Sequence, residues 1–414
     1  MGCDGELLPV PRPPARRSSD IAPEAVLTIA LLVLICIGVV MVYSASSATA
    51  LLSDQSPQGL LIRQGIYAVL GLIAFAVCAR IKPSKLVGWG QPAVLVCLGL
   101  LVVVLMPGIG IMANGSRCWL GMGPVQLQPA EFAKLALILF LAAYLTKNAA
   151  KLDEFKTLRL PVLIAGAMAV LVIVEPDLGT AIVLVGTAIA MIALAGTSAR
   201  LVGLIAMGAV LLGALGIAAE PYRRSRLFAF LDPWSDPQGA GFQIVQSKLA
   251  IGSGGVNGVG LGNGLQKVFY LPEAHTDMIM ATVGEELGLI GFIGVIAVVG
   301  AVVWSGYRIA QSAADGRQRL LAGGLTTLIA LQSIVNLGAV LGVLPVTGVP
   351  LPFMSYGGSS LVVFAASAGI LVGIGRRSRA RRASLSVVRD DDAPARGDRG
   401  GRDRRAHHAG ARAG

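Results

Sequence analysis

Residues 25–42 read AVLTIALLVLICIGVVMV, eighteen positions without one charged side chain. A helix needs about 20 predominantly apolar residues to cross the hydrocarbon core of a bilayer. This run is longer than the apolar part of a secretory signal and follows an unusually long leader. It therefore predicts a first membrane span that stays in the mature protein.

Runs of the same character recur along the rest of the chain. Of its 414 residues, 55% are hydrophobic and 14% are charged, whereas soluble domains have about 25% charged residues. The sequence therefore predicts an all-α polytopic membrane protein with about ten transmembrane helices. We place the spans at 24–46, 60–79, 91–107, 130–146, 160–174, 178–196, 201–219, 277–307, 320–343 and 356–375.

Basic residues predict the orientation of these spans. Lys and Arg cluster in alternate loops, from Arg12, Arg16 and Arg17 before the first span to the run Arg376 to Arg382 after the last. Basic loops stay in the cytoplasm, so both termini are expected there, and the long segment 220–276 before helix eight is expected outside. The net charge of +11 then reflects topology, because no basic stripe interleaved with aromatic residues suggests nucleic-acid binding.

We divide the chain into three parts. Residues 1–22 form a cytoplasmic tail, 23–378 a transmembrane domain, and 379–414 a cytoplasmic C-terminal tail. Few large apolar residues occur in the last part, so it is expected to be disordered. That tail is interpreted either as a solvated anchor or as a docking segment for a partner.

Every motif-like stretch falls on the predicted outer face. Irregular backbone at membrane depth is tolerated only where protein buries it or where it lines a wet cavity, so a polar site that opens outward is the simplest interpretation. No nucleotide phosphate-loop pattern occurs. The stretches are NGSRCWLGMGPVQLQPAEFAK (114–134), EPDLGT (175–180), YRRSRLFAFLDPWSDPQGAGFQ (222–243), LPEAHTD (271–277) and PVTGVPLPFMSYGGSS (345–360).

Two charged groups on this face each have two interpretations. Glu131 and Lys134 lie three apart on one helix face, and they either pair to fix helix packing or contact a substrate. Arg223, Arg224 and Arg226 stand against the positive-inside trend. They either contact lipid headgroups or bind an anionic ligand.

Acidic residues at two helix starts also have two interpretations. Asp177, next to Pro176, is either a cap that complements the helix dipole or a site residue. Asp277 could cap the following helix, which would lower its pKa, or it could be a general base, which needs a raised pKa. His275 is expected to orient this loop, because no second ligand pair at suitable spacing suggests a metal site.

Five segments, taken in order, resemble signatures of the SEDS family of bacterial membrane proteins, over roughly residues 24–378. Within the family the chain looks most like the cell-division branch, with the elongation branch as the alternative. Two arginines that are usual in the family are absent: Cys118 stands where an Arg precedes the Trp of the NGSRCW motif at 114–119, and Leu265 stands where a later Arg is expected. Both changes reduce the positive charge available to bind an anion. The segments are QPAEFAKLALILFLAAYL, EPDLGTAIVL, FQIVQSKLAIGSGG, LPEAHTDMIMATVGEELGLIG and VTGVPLPFMSYGGSSL.

The resemblance implies a peptidoglycan glycosyltransferase that polymerises lipid II outside the membrane. A class B penicillin-binding protein would cross-link the strands, and other division proteins and membrane lipids are further expected partners. Cofactors are left open, with magnesium or manganese as a candidate and no protein metal site. The implied catalytic residue is Asp277, and the implied substrate-binding residues are Glu131, Lys134, Asp177, Arg117, Arg223, Arg224, Lys248, His275, Ser355 and Ser359.

Two other functions remain open at this point. A lipid II flippase would need polar groups through the full membrane depth and on both faces, whereas the irregular loops cluster on one predicted side. A silent scaffold that recruits other division proteins is compatible with the fold, but it would not need the intact HTD segment at 275–277. Both arguments favour the enzyme.

Overall fold

The computed structural model describes residues 21–52, 58–113, 116–122, 125–269 and 271–391, and its chain is dominated by helices. Their bounds follow the apolar runs of the sequence closely. The helices are α1 (Pro23–Leu52), α2 (Gln58–Arg80), α3 (Pro83–Gly88), α4 (Gly90–Leu105), α5 (Pro129–Lys147), α6 (Phe155–Val174), α7 (Leu178–Leu194), α8 (Ala199–Ala219), α9 (Pro221–Leu231), α10 (Phe242–Gly254), α11 (Gln266–Phe269), α12 (Ile279–Ser312), α13 (Gly316–Val340) and α14 (Gly358–Asp391).

The helical membrane architecture predicted from the sequence is confirmed. Within the described residues, eight helices are long and apolar enough to cross a membrane: α1, α2, α5, α6, α8, α12, α13 and α14. The shorter apolar helices α4 and α7 coincide with the remaining two predicted spans. Each predicted span therefore corresponds to a helix in the structure.

Three regions differ from the sequence-based expectation. Segment 108–129, expected as a loop, contains a small antiparallel sheet of β1 (Ile111–Ala113), β2 (Ser116–Met122) and β3 (Val125–Leu127). The long segment before helix eight contains α9, α10 and α11. Helix α14 runs on to Asp391, past the boundary predicted at 378. Of the predicted tails 1–22 and 379–414, residues 1–20 and 392–414 lie outside the described residues, as do Asn114 and Gly115.

The helices differ sharply in how much of them the protein buries. Helices α5, α13 and α14 form the centre of the bundle, and most of each is buried. Helix α14 packs on α2, α1 on α12, α4 on α5, and α7 on α13. None of the residues of α8 is buried, so its apolar surface faces the lipid. The polar groups of the site are carried by the central helices.

Helix α12 is broken at Gly288, whose φ of 67° and ψ of −166° are not helical. The break frees backbone groups that a neighbouring glycine-rich loop satisfies. Val259 N donates to Glu285 O at 3.0 Å, and Leu289 N donates to Gly255 O at 3.0 Å. Gly258 has a φ of +82°, and a Cβ there would lie 2.2 Å from Glu286 O, so only glycine fits this close approach.

The acidic pair on the first half of α12 has a structural role. Glu286 pairs with Lys267 at 2.5 Å, and Ser44 Oγ donates to the Glu286 carboxylate at 2.7 Å. Glu285 Oε1 accepts from the backbone of Leu265 at 2.7 Å. Buried charges are tolerated when they are paired and hydrogen-bonded. These residues therefore fasten the glycine-rich loop and α11 to α1 and α12, and they hold the short first half of α12 in place.

The orientation of the helices in the membrane stays a prediction, and it can be tested with reporters. Fusions that join a reporter after Gly316, at the start of α13, and after Ala240, before α10, should report opposite sides. The expectation follows from the positive-inside rule. An alkaline phosphatase and a green fluorescent protein series at both positions would measure it. Signals from the same side at both positions would overturn the orientation.

Candidate active site

The N-terminal ends of four helices meet at one end of the bundle. Gln128, just before α5, donates its backbone N–H to Ser359 of α14 at 2.9 Å and its side-chain amide to Asp177, before α7, at 3.1 Å. The backbone N–H of Tyr356, before α14, donates to His275 O, before α12, at 3.0 Å. We call the meeting point of α5, α7, α12 and α14 the junction. Helix N-termini carry partial positive charge, so the junction favours a negatively charged ligand.

Asp277 lies at the junction, just ahead of α12, and its side chain is 7% exposed. Burial, and secondarily the nearby Glu273, raise the pKa of this carboxyl from 3.8 to about 7. Thr276 Oγ1 donates to Asp277 Oδ1 at 3.3 Å. The N-cap of α12 is Met278, without a side-chain capping bond, so the structure does not give Asp277 the capping role. A carboxylate with a pKa near neutrality suits a general base.

The three outer arginines have different positions. Arg226 Nη1 donates to Val346 O at 3.3 Å, and Arg226 is close enough to Asp277 to oppose the rise of its pKa. Arg223 instead donates to Ile173 O at 2.8 Å and to Gly216 O at 3.1 Å, which satisfies carbonyls at helix ends. Arg224 is exposed. The structure thus brings Arg226 to the junction and uses Arg223 in helix packing.

Glu131 and Lys134 form the ion pair predicted from their spacing. Lys134 Nζ lies 2.8 Å from Glu131 Oε1, with both side chains buried. Lys134 also donates to Gln332 Oε1 of α13 at 2.6 Å, and its ammonium lies 5.4 Å from the centroid of the Phe364 ring. The pair therefore joins α5 to α13 and α14 in the bundle centre. A direct contact with substrate stays a prediction.

Asp177 caps α7, as one of its two interpretations held. Its Oδ1 accepts from Thr180 N at 2.9 Å. Burial raises the pKa of Asp177. Its neighbour Glu175 is fully buried, both of its carboxylate oxygens lack a hydrogen-bond partner among the described residues, and burial together with Asp177 raises its pKa to about 8.

The remaining predicted residues at the junction hold the backbone. The imidazole of His275 faces the ring of Tyr356, with centroids 5.5 Å apart, and burial lowers its pKa. Ser355 Oγ accepts from Leu351 N at 2.9 Å. Ser359, as described above, accepts from Gln128. These contacts fix the loop between α13 and α14, and the predicted substrate contacts of all three residues remain untested.

Arg117 and Lys248 have no contact with Asp277 among the interactions of the described residues. Arg117 lies on β2, opposite Met112, and its buried Nε lacks a partner there. The Lys248 side chain passes Gly342, where an added Cβ would lie 2.5 Å from Lys248 Cε. The predicted contacts of Arg117 and Lys248 with substrate therefore stay predictions.

Three amides at the site were not selected from the sequence. Gln128 joins α5 to α7 and α14, and Gln332 and Asn336 lie four residues apart on α13. Gln332 and Asn336 are 0% and 1% exposed. The available signal was their polarity inside an apolar span, since such residues are rare and often functional.

Comparisons with known proteins agree on one family. The sequence profile of the cell cycle protein family that groups FtsW, RodA and SpoVE matches residues 24–380. Stage V sporulation protein E of Bacillus subtilis (strain 168) is 41% identical over 359 residues, covering 86% of this chain and 98% of that protein. A probable peptidoglycan glycosyltransferase FtsW of Geobacter metallireducens is 44% identical over 358 residues, covering 86% of this chain and 95% of that one.

Solved structures show the same architecture. A chain from a peptidoglycan synthase complex that coordinates polymerization and crosslinking aligns with a TM-score of 0.70 at 32% identity, covering 85% of this chain and 97% of that one. The rod shape determining protein RodA of Thermus thermophilus aligns with a TM-score of 0.62 at 27% identity, covering 85% and 96%. Profile, relatives and structures together show that this chain is a multi-pass membrane protein of the SEDS family, to which FtsW, RodA and SpoVE belong.

Proposed function

We propose that this protein is a peptidoglycan glycosyltransferase that polymerises lipid II on the outer face of the cytoplasmic membrane during cell division. Its relatives support the reaction, because several at 40–44% identity are named as probable peptidoglycan glycosyltransferases FtsW. The site supports it independently, through a buried carboxylate at the point where the N-terminal ends of four helices meet.

Asp277 is the observation that carries the proposal. A general base must be ionised when it accepts a proton, yet basic enough to take one, so its best pKa lies near the working pH. Asp277, with a pKa of about 7, meets that condition because it is desolvated. Asp277 lies just ahead of α12, at the junction of the four helix N-termini.

The reaction needs one such base. Asp277 takes the proton of the acceptor GlcNAc 4-hydroxyl as its oxygen attacks the anomeric carbon of the donor MurNAc. The bond from that carbon to the undecaprenyl diphosphate breaks at the same time, and the diphosphate leaves with the electron pair, so the configuration inverts. The diphosphate is a good leaving group, and the second carboxylic acid that glycosidases use to protonate a leaving oxygen is unnecessary.

The junction supplies favourable charge for the departing diphosphate. The N-terminal ends of α5, α7, α12 and α14 meet there, and the positive charge of Arg226 acts on the Asp277 carboxyl, whose pKa it lowers. Preorganised positive charge stabilises the negative charge that develops in a transition state. Within the described residues, no group of three or more His, Cys, Asp or Glu side chains could hold a metal ion. Magnesium is commonly held by one or two carboxylates together with substrate phosphates, so an ion that the diphosphate brings is compatible with these residues.

The same proposal covers partner and location. A solved neighbour comes from a peptidoglycan synthase complex in which polymerization and crosslinking are coordinated, and this supports a class B penicillin-binding protein as partner. We also propose that the protein interacts with other division proteins, that it is located at the division septum and that both of its termini lie in the cytoplasm. The orientation rests on the alternation of basic loops.

Reconstitution would test the activity. The purified protein in lipid vesicles, with and without its cognate penicillin-binding protein, is given fluorescent lipid II, and the glycan is resolved on gels. Polymer that disappears after lysozyme-type digestion is the expected product. Movement of lipid II between leaflets without polymer would indicate a flippase. Neither activity, with intact partner binding, would indicate a scaffold.

The rate should depend on pH through Asp277. The free enzyme loses its base as the pH falls through about 7, so kcat/KM at pH 6 should be roughly a tenth of its plateau above pH 8. Initial rates of polymerisation between pH 5 and pH 9 would measure this, with lipid II binding and protein unfolding followed at each pH. A flat profile over this range would contradict the assignment.

A further inference from the structure

A chain of hydrogen bonds links Lys134 to Asp277 through two amide side chains of α13. Lys134 Nζ donates to Gln332 Oε1 at 2.6 Å, and Gln332 Nε2 donates to Pro350 O at 3.0 Å. Asn336 Nδ2 donates both to Val349 O at 2.8 Å and to Asp277 O at 2.7 Å. Val349 and Pro350 are joined by a peptide bond, so the two sets of hydrogen bonds meet in one backbone segment.

The chemistry of the partners sets the orientation of both amides. A lysine ammonium only donates, so it must face the oxygen of Gln332, and the carbonyl of Pro350 must then face the nitrogen. Asn336 faces two carbonyl oxygens, which require its nitrogen. Its own Oδ1 is left without a partner among the described residues. The hydrogen bonds of Asn336 are therefore the two that its Nδ2 donates to Val349 O and Asp277 O.

The spacing of the two amides matches the geometry of their helix. Residues four apart lie on one face of a helix, about one turn from each other. Gln332 and Asn336 therefore reach adjacent carbonyls of the loop between α13 and α14. That segment also packs on α7, since a Cβ at Gly179 would lie 2.6 Å from Thr347 O. The amides thus hold a loop segment that lies between the ion pair and Asp277.

Asp277 itself has little helix to hold it. It precedes the N-cap Met278, and α12 is interrupted at Gly288, so only a short stretch of helix follows Asp277 before the break. A side chain on such a segment keeps its direction only if its backbone is fastened from outside. The bond from Asn336 to the Asp277 carbonyl does this from a continuous, buried helix.

We propose that Asn336 and Gln332 are positioning residues that set the place of the Asp277 carboxylate relative to the Lys134 cation, through the Val349–Pro350 backbone. The inference rests on the proposed glycosyltransferase activity. Neither amide contacts the reacting atoms in this scheme. Loss of either should therefore reduce the rate of the chemical step while lipid II binding is largely kept.

The test compares near-isosteric variants on one helix. Asn336→Leu keeps the branching and the number of side-chain heavy atoms and removes both donor bonds. Displacement of a catalytic group by about 1 Å can lower a rate about 100-fold, so kcat for lipid II polymerisation should fall about 10- to 100-fold, with KM changed by less than about threefold. Ser333→Ala is the matched control. Ser333 is also buried on α13 and also loses a hydrogen bond, but only to Ile329 O of its own helix at 2.8 Å.

A second variant tests the pathway between the two amides. If both act through the same backbone segment, the double variant Gln332→Leu, Asn336→Leu should lose about as much kcat as the more severe single variant. Independent structural roles would instead multiply the two losses. If Asn336→Leu does not reach the membrane folded, Asn336→Asp replaces it, because it keeps the size and at most one of the two donors.

The outcomes separate this proposal from the activity on which it rests. Wild-type protein that makes no polymer would refute the glycosyltransferase function. Active wild type with near-normal kcat in the Asn336 variants would overturn the positioning role alone. A rise in KM without loss of kcat, or a loss in Ser333→Ala equal to that in Asn336→Leu, would overturn it as well.

Discussion

Asp277→Asn should give a folded, membrane-inserted protein that binds lipid II and makes almost no glycan. Asparagine keeps the shape of the side chain and its hydrogen bond from Thr276, but it cannot take a proton at neutral pH. Loss of a general base lowers a rate by about 10² to 10⁴. Polymerisation by the purified variant, at saturating lipid II and pH 8, measures the effect.

The same variant should be more stable than the wild type at high pH. The folded-state pKa of Asp277 is about 7, above its unfolded value, so the folded state binds the proton more tightly. Ionisation of Asp277 therefore destabilises the fold progressively as the pH rises from about 4 to about 7. The Asn variant lacks this cost, and its unfolding temperature should exceed that of the wild type at pH 8 but not at pH 4.

An exposed carboxylate of the same region provides the control. Asp232 follows α9 and is exposed, so Asp232→Asn should change neither polymerisation nor the pH dependence of unfolding. Near-normal polymer from Asp277→Asn would remove Asp277 from the mechanism. An unfolding temperature that falls in Asp277→Asn at pH 8 would contradict the desolvated state of its carboxyl.

Lys134→Met should destabilise the protein by about 3–5 kcal/mol, because it leaves the buried Glu131 without its cation. Lys134 and Glu131 are both 1% exposed, and solvent cannot take the place of the lost partner. Gln332 Oε1 would lose its donor at the same time. Thermal unfolding in detergent, together with the yield of monodisperse protein, measures the effect.

A double variant separates the unpaired charge from the lost packing. Glu131→Gln combined with Lys134→Met removes both charges and should recover most of the stability lost in Lys134→Met. Lys147→Met is the control, since Lys147 lies on the same helix but is exposed, and it should be near neutral. Equal loss in the single and double variants would show that the charge of Glu131 is not the cause.

Much of the fold follows from local properties of the chain. Each apolar run becomes a helix because backbone polar groups in lipid must be satisfied within the segment. Pro129 begins α5 and Asp177 caps α7, as local helix-start signals indicate. The ion pair of Glu131 and Lys134 follows from a spacing of three residues on one helix.

Other features depend on contacts between residues far apart in the chain. The backbone of the glycine run at 252–264 pairs with α12 on both sides of the break at Gly288. The sequence did not predict the interruption of α12 at Gly288, because an isolated glycine inside a helical pattern is usually tolerated. The sheet of 111–127 went unpredicted because its strands are short.

The sequence by itself determined the class of protein, the helices that cross the membrane and the presence of Asp277 at a helix mouth, since these depend on composition, local spacing and a resemblance that covers most of the chain. Only the tertiary structure decided what surrounds that carboxyl. Its pKa is raised by burial, Arg226 comes from another loop, and the bond from Asn336 that holds its backbone joins residues 59 apart in the chain. Such contacts arise from helix packing, and no local pattern of residue types encodes which partner each side chain meets.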